Sequence, residues 1–158
     1  MTLFPLNEFQ RQQAVDRSGI IRRPRSAELQ RIVEDAARLA RAPIAVISVV
    51  DRSRQWFAAR TGIDAEEGPR ADSFCTHTIL RPGEPMIVTD ARDDDRFAGN
   101  PAVRDHPHIR FYAGVPLVDK AGFALGALCV ADTKPRLGTF DVYDLTHLAR
   151  SAERIMAA

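Results

Sequence analysis

The stretch Ser73-Phe74-Cys75-Thr76-His77-Thr78-Ile79 sets a thiol two residues from an imidazole. Such a pair could be a nucleophile beside its base, half of a metal site, or part of the lining of a pocket. Local geometry separates these. The stretch suits a short helix, where positions two apart point in different directions, so Cys75 and His77 would not meet. On a strand they would share a face. On a helix, Phe74 groups with His77 and Thr78, an aromatic, imidazole and hydroxyl patch suited to a polar cleft. The plainer alternatives are a small buried hydrophobe for Cys75 and a hydrogen-bonded structural residue for His77.

Other residues compete for chemical roles. Metal binding needs several convergent ligands, and the candidates are Cys75, His77, His106 and His108. His106-Pro107-His108 is not a standard ligand spacing, so no metal is expected. In the strand that begins at Ile109, alternation puts Ile109, Phe111, Ala113 and Val115 on one face and Arg110, Tyr112 and Gly114 on the other. Arg110 and Tyr112 could clasp an anion or a planar ligand. Equally, they could anchor the loop Asp90-Ala91-Arg92-Asp93-Asp94-Asp95-Arg96-Phe97 through Asp90, Asp93 or Asp95. Consecutive carboxylates face solvent more readily than they hold calcium, whose loops space their ligands differently. Phe97 is expected to pack back onto the sheet, with Arg96 as a carboxylate partner. Cys129 alternates with Phe123, Leu125 and Ala127 and is expected in the core, too far from Cys75 for a disulfide.

These residues need elements to position them. A polar helix is expected over 6–18, ended by Gly19, and a second from Ser26, with Leu29, Ile32, Val33 and Ala36 at helical spacing. The run 44–50 reads as a central strand, 55–61 as its neighbour and 86–89 as a short strand. Residues 109–118 and 123–132 form a hairpin, and a last helix starts near Thr139. The hairpins require antiparallel pairing. Helices at both chain ends must cover one face, leaving the connections 64–72 and 90–108 to cover the other over a pocket. Connections this long are uncommon unless they do something. Trp56 and Phe57 point to opposite faces, one into the core and the other under a helix or at a dimer interface.

Bulk properties narrow the function classes. The 158 residues suit one domain, and a net charge of +1 gives no electrostatic case for nucleic acid. The basic turn 21–25 reads as solvated surface. Two cysteines cannot make a disulfide framework and point to a reducing cytoplasm. No secretory signal is recognisable, and the apolar runs are too short to cross a bilayer, so no membrane partner is expected.

Several words, in order and spacing, resemble the GAF family, in the type found in bacterial sensor histidine kinases and diguanylate cyclases: VISVVDRSRQWFAARTG, SFCTHTI, VTDARDDDRFAGNP, HIRFYAGVPL and GFALGALCVAD. The resemblance covers 24–158, with 1–23 as an N-terminal helical extension. It implies an α+β fold with a central antiparallel sheet of five to six strands, terminal helices on one face, and loops and short helices over a pocket on the other. It also implies a non-enzymatic sensor domain of a two-component or related signalling system, with an unidentified small-molecule ligand and transmission through dimerising terminal helices to a kinase or cyclase module in cis or in trans. The expected pocket residues are Phe74, Cys75, His77, Asp90, Phe97, Arg110 and Tyr112. No cofactor is implied by name. The Asn-Lys-x-Phe-x-Asp-Glu motif of cyclic-nucleotide GAF domains is missing, and Thr76 interrupts the Cys-His pair that holds bilins. Two alternatives stay open: a thiol-dependent methionine sulfoxide reductase-like enzyme, which lacks its accompanying cysteines here, and a ligand-free dimerisation scaffold.

Overall fold

The structure, a computed structural model, describes residues 3–158. Helix α1 (Glu8–Ser18) ends at Gly19, whose φ of 64° is left-handed. Helix α2 (Ala27–Ala40) starts where Ser26 Oγ accepts from the amides of Glu28 and Leu29, a cap worth about 1 kcal/mol. Strands β1 (Ile44–Asp51), β2 (Arg54–Thr61) and β3 (Glu67–Pro69) follow, then helix α3 (Cys75–Thr78), strand β4 (Met86–Val88) and helix α4 (Pro101–Arg104). Strands β5 (Phe111–Val118) and β6 (Ala124–Asp132) form the hairpin, and helix α5 (Tyr143–Ala157) closes the chain. Strand β3 lies inside the connection 64–72, which the sequence marks only as polar and long. Helix α5 begins four residues after Thr139, where Asp141 Oδ1 accepts from the Tyr143 amide. Among the described residues no helix is long and apolar enough to cross a membrane.

The six strands form one antiparallel sheet in the order β3-β2-β1-β6-β5-β4. Strands β1 and β6 lie at its centre and are buried along nearly their whole length, which is why both read as continuous apolar runs. Two cores flank the sheet. On the helix side, Leu29, Val33, Ile47, Phe111, Leu128, Ala149 and Met156 pack together, joined by Ala14 and Val15 of α1. On the loop side, Val46, Phe57, Phe74, Cys75, Phe97, Tyr112 and Cys129 pack together. The distribution of helices and connections over the two faces is the one that the element order requires.

Two bulges change which side chains face which core. Ile47 pairs with Ala59 and Ser48 with Phe57, so Ala58 is the extra residue in β2. Leu117 pairs with Gly126 and Val118 with Ala124, so Leu125 is the extra residue in β6. The second bulge corrects the expectation from strict alternation. Leu125 turns to the helix side, while Ala127 and Cys129 face the loops. Trp56 and Phe57 are both buried, Trp56 under the helices with the Arg25 guanidinium 4.4 Å above its ring. The basic turn is therefore not simply solvated. Arg25 donates to the Phe57 carbonyl, and Arg23 donates to those of Met156 and Ala158 at the end of α5.

Candidate functional site

The loop-side layer is assembled from three elements. Helix α3 supplies Cys75 and His77, with Phe74 just before it, and β5 supplies Tyr112. The connection before α4 supplies Phe97. Helix α3 forms where Thr76 Oγ1 donates to the Arg70 carbonyl at 2.6 Å and Ser73 Oγ accepts from the Cys75 amide at 3.0 Å. These two polar contacts fix how a one-turn helix sits on the sheet. A helix this short has no independent stability and depends on such anchors.

The rings form a continuous stack. Phe74 and Phe97 lie face to face, with centroids 4.2 Å apart and planes 7° from parallel. Phe74 also stacks on Tyr112 at 5.0 Å, and His77 meets Phe97 edge-on at 4.8 Å. Cys75 Sγ and Tyr112 Oη share a hydrogen bond at 3.4 Å, and Thr78 Oγ1 and Tyr112 Oη share another at 2.8 Å. As the helical geometry requires, Cys75 points inward and His77 toward the rim, and the two do not pair. The space expected between sheet and loops is occupied by these side chains. Phe97 is 1 % exposed, Cys75 2 % and Tyr112 3 %. Phe74, Phe97 and Tyr112, expected at the pocket, stack on one another and fill the layer.

Asp90 and Arg110 stay outside this group. Asp90 is held by Arg92, whose guanidinium donates at 2.7 and 3.0 Å, and its carboxyl lies below the usual range chiefly for that reason. Arg110 does anchor the 90–108 connection, but through the backbone: its guanidinium donates to the Val103 carbonyl at 2.8 Å and bonds none of the aspartates. The Arg110–Tyr112 clasp does not form, because the regular alternation of β5 begins only at Phe111. Ile109 therefore joins Tyr112 in the loop-side core. Arg96 takes the carboxylate partner expected for it, Asp94, at 2.8 Å. Asp93 and Asp95 face solvent. Among the described residues no three His, Cys, Asp or Glu side chains converge on a metal position.

The rim of the layer carries an open cleft of about 520 Å³ bordered by His77, Leu80, Arg81, Glu84, Met86 and Arg96. Half-burial and the positive Arg96 hold the His77 imidazole below its ordinary pKa, and Asp94 opposes them. Leu3, just before α1, reaches the same cleft. The next residue, Phe4, lies under the Arg70 guanidinium at 4.5 Å. The lead-in to the first helix thus touches the element that carries Cys75 and His77.

Three residues that the sequence patterns did not single out tie α1 to this layer. Arg70 and Arg11 are both enclosed, at 0 % and 1 % exposure, and both hold the Glu8 carboxylate. Arg11 also donates to the carbonyls of Val50 and Ala124, the latter beside the β6 bulge. No local pattern reveals buried arginines.

The GAF domain family model matches residues 24–158. The chain belongs to the GAF family. It is 44 % identical over 149 residues to a Pseudomonas aeruginosa protein named cyclic di-GMP phosphodiesterase, covering 93 % of this chain and 25 % of that protein. The chain thus spans about a quarter of that relative's length. Its fold is similar to the crystal structure of the GAF domain of an Acinetobacter phosphoenolpyruvate-protein phosphotransferase, with a TM-score of 0.64 at 17 % identity, covering 94 % of this chain and 92 % of that one. It is similar at the same TM-score of 0.64 and identity of 17 % to a Neisseria meningitidis free methionine-R-sulfoxide reductase, covering 94 % and 86 %. At these identities the two structures speak for the GAF fold alone.

Proposed function

We propose that this GAF domain is a regulatory input domain of a cytoplasmic bacterial signalling protein, not an enzyme, and that its output is a cyclic di-GMP turnover module in cis or in trans. The observation that carries this reading is the 44 % identity, over nearly the whole chain, to one quarter of a protein named for cyclic di-GMP hydrolysis. The loop-side layer is the input. Phe97 arrives on a connection pinned by few polar contacts, among them Arg110 to the Val103 carbonyl and Asn100 Nδ2 to the Asp72 carbonyl at 2.8 Å. A planar small molecule that replaces Phe97 against Phe74 would bind the open layer only. By that difference it would shift the population toward the open state. The lead-in at Leu3 and Phe4 and the Glu8–Arg70 pair carry the change to α1. Helices α1 and α5 pass it on, in a homodimer that buries the exposed Leu6 and Phe9.

Native mass spectrometry of the protein purified from its host, with and without denaturation, tests the input. A dimer that releases a small molecule on denaturation supports ligand sensing. A protein that is empty in every preparation, and whose melting temperature no metabolite pool moves, overturns it. The closed layer favours that second reading, in which the domain is a ligand-free dimerisation scaffold.

A further inference from the structure

Two groups in the loop-side layer have no part in the reading above: the thiols of Cys75 and Cys129. They approach from opposite sides, Cys75 from α3 and Cys129 from the centre of the sheet. The β6 bulge makes this possible, because Cys129 faces the loops while Leu125 does not. Tyr112 fixes their position. Its ring leans along its own strand over Gly114, so closely that a Cβ at Gly114 would collide with the phenol oxygen. Gly114 is the cross-strand partner of Cys129. The phenol therefore lies beside Cys129 and 3.4 Å from Cys75 Sγ. Both thiols are free and buried in the same loop-side core, Cys75 in contact with the Tyr112 phenol and Cys129 opposite the Gly114 that the phenol covers.

We propose that Cys75 and Cys129 form a redox pair that a hydroperoxide closes to an intramolecular disulfide, tying α3 to the sheet. The pairing does not depend on a small-molecule ligand. The roles of the two sulfurs differ. The neighbouring Cys129 thiol, with Tyr112, Ser48 and Ser73, pulls the Cys75 thiol down to about 7 against the opposing effect of burial. The nearby Cys75 sulfur, together with burial, pushes Cys129 up. Cys75, on a one-turn helix of the covering layer while Cys129 sits in the central strand, is both the sulfur that an opening of the layer uncovers and the more acidic one, and it is the attacking thiolate.

Cys75 sulfur attacks a peroxide oxygen. An S–O bond forms, the O–O bond breaks, and the departing oxyanion takes up a proton and leaves as an alcohol, or as water from hydrogen peroxide. Cys75 is then a sulfenic acid. Cys129 sulfur attacks the Cys75 sulfur. The S–S bond forms, the S–O bond breaks, and the hydroxyl leaves as water with the Cys129 proton. Two thiols have lost two electrons and two protons, and the peroxide has gained them. At 2 % exposure Cys75 meets peroxide only when the loop layer opens, so the reaction reports that opening and the disulfide ends it.

The test treats the folded protein with hydrogen peroxide, quenches in acid, and alkylates after denaturation. The expected result is joint loss of both thiols in equal amounts, a mass lower by two hydrogens, and one peptide pair linking Cys75 to Cys129. A dithiol reductant should restore both thiols. In Cys129→Ala, Cys75 should stop at the sulfenic acid, trapped by dimedone. If that variant does not fold, the wild-type peptide map decides alone. Thiols that both remain free, Cys75 oxidised to sulfinic acid with Cys129 intact, or a disulfide between two chains would each overturn the proposal.

Discussion

Arg70, wholly enclosed, donates to both carboxylate oxygens of Glu8, at 2.7 and 3.0 Å. The same carboxylate takes Arg11 at 2.8 Å, so one acid neutralises two guanidiniums that have little access to water. Removing it leaves both charges uncompensated. Glu8→Gln should cost about 2–3 kcal/mol in urea unfolding, less than the roughly 3–5 kcal/mol of a fully buried pair because Glu8 is itself partly hydrated. A change below about 0.5 kcal/mol, the range of ordinary surface substitutions, would show that α1 is not held by this pair.

The same residue sets an acid limb of stability. Burial opposes ionisation of Glu8, but the hydrogen bonds and charges of Arg70 and Arg11 outweigh it and hold the carboxyl at about 2. A depressed carboxyl stabilises the fold fully above its unfolded value near 4.5, and that stability is lost as pH falls toward 2. Urea midpoints measured from pH 6 to pH 2 should fall across this window in the wild type. They should fall less in Glu8→Gln.

His77 adds a second, smaller limb. Its pKa is lowered by burial first and by Arg96 second, so the folded state prefers the neutral ring. Stability from this preference is present above the unfolded value near 6.5 and is lost as pH falls through the lower folded value. His77→Gln should remove this step while leaving the Glu8 limb in place. Imidazole proton shifts followed by NMR would show a midpoint below 6.5, and a midpoint above it would contradict the burial of His77 against Phe97.

Gly114 is needed for the place that Tyr112 takes. A Cβ there would strike the Tyr112 hydroxyl and ring, although the backbone needs no left-handed conformation. Gly114→Ala should cost about 1–3 kcal/mol through overpacking. It should also raise the reactivity of Cys75 toward a maleimide, because the displaced phenol loosens α3. Unchanged stability and thiol protection would mean that the layer repacks around the methyl group.

Leu6, just before α1, is fully exposed, and Phe9 in its first turn is 73 % exposed. Under the proposed homodimer, Leu6→Glu and Phe9→Glu together should convert the protein to a monomer in sedimentation velocity runs without lowering its melting temperature. A wild-type protein that is already monomeric at tens of micromolar would remove α1 as the dimer face.

Much of the architecture was legible because its causes are local. The Ser26 cap, the Gly19 stop, the two-sided apolar runs of β1 and β6 and the hairpin turn all follow from neighbouring residues. The separation of Cys75 from His77 followed from helical spacing alone. Strand β3 was missed because a three-residue run of Glu67, Gly68 and Pro69 carries no strand periodicity, and its ladder to β2 is made by the partner strand. The Arg110 anchor was legible in kind but not in partner, since a backbone carbonyl leaves no mark in the sequence.

The sequence by itself determined the family, the sheet with helices on one face and loops on the other, and the aromatic and polar residues of the loop side. Each depends on residue type and short spacing. Tertiary structure alone decided that the loop-side layer is filled, that Arg11 and Arg70 converge on Glu8, and that Cys75 and Cys129 share one core. Those outcomes turn on a single extra residue in β6 and on contacts between segments tens of residues apart. A bulge reverses the facing of a strand without changing its composition.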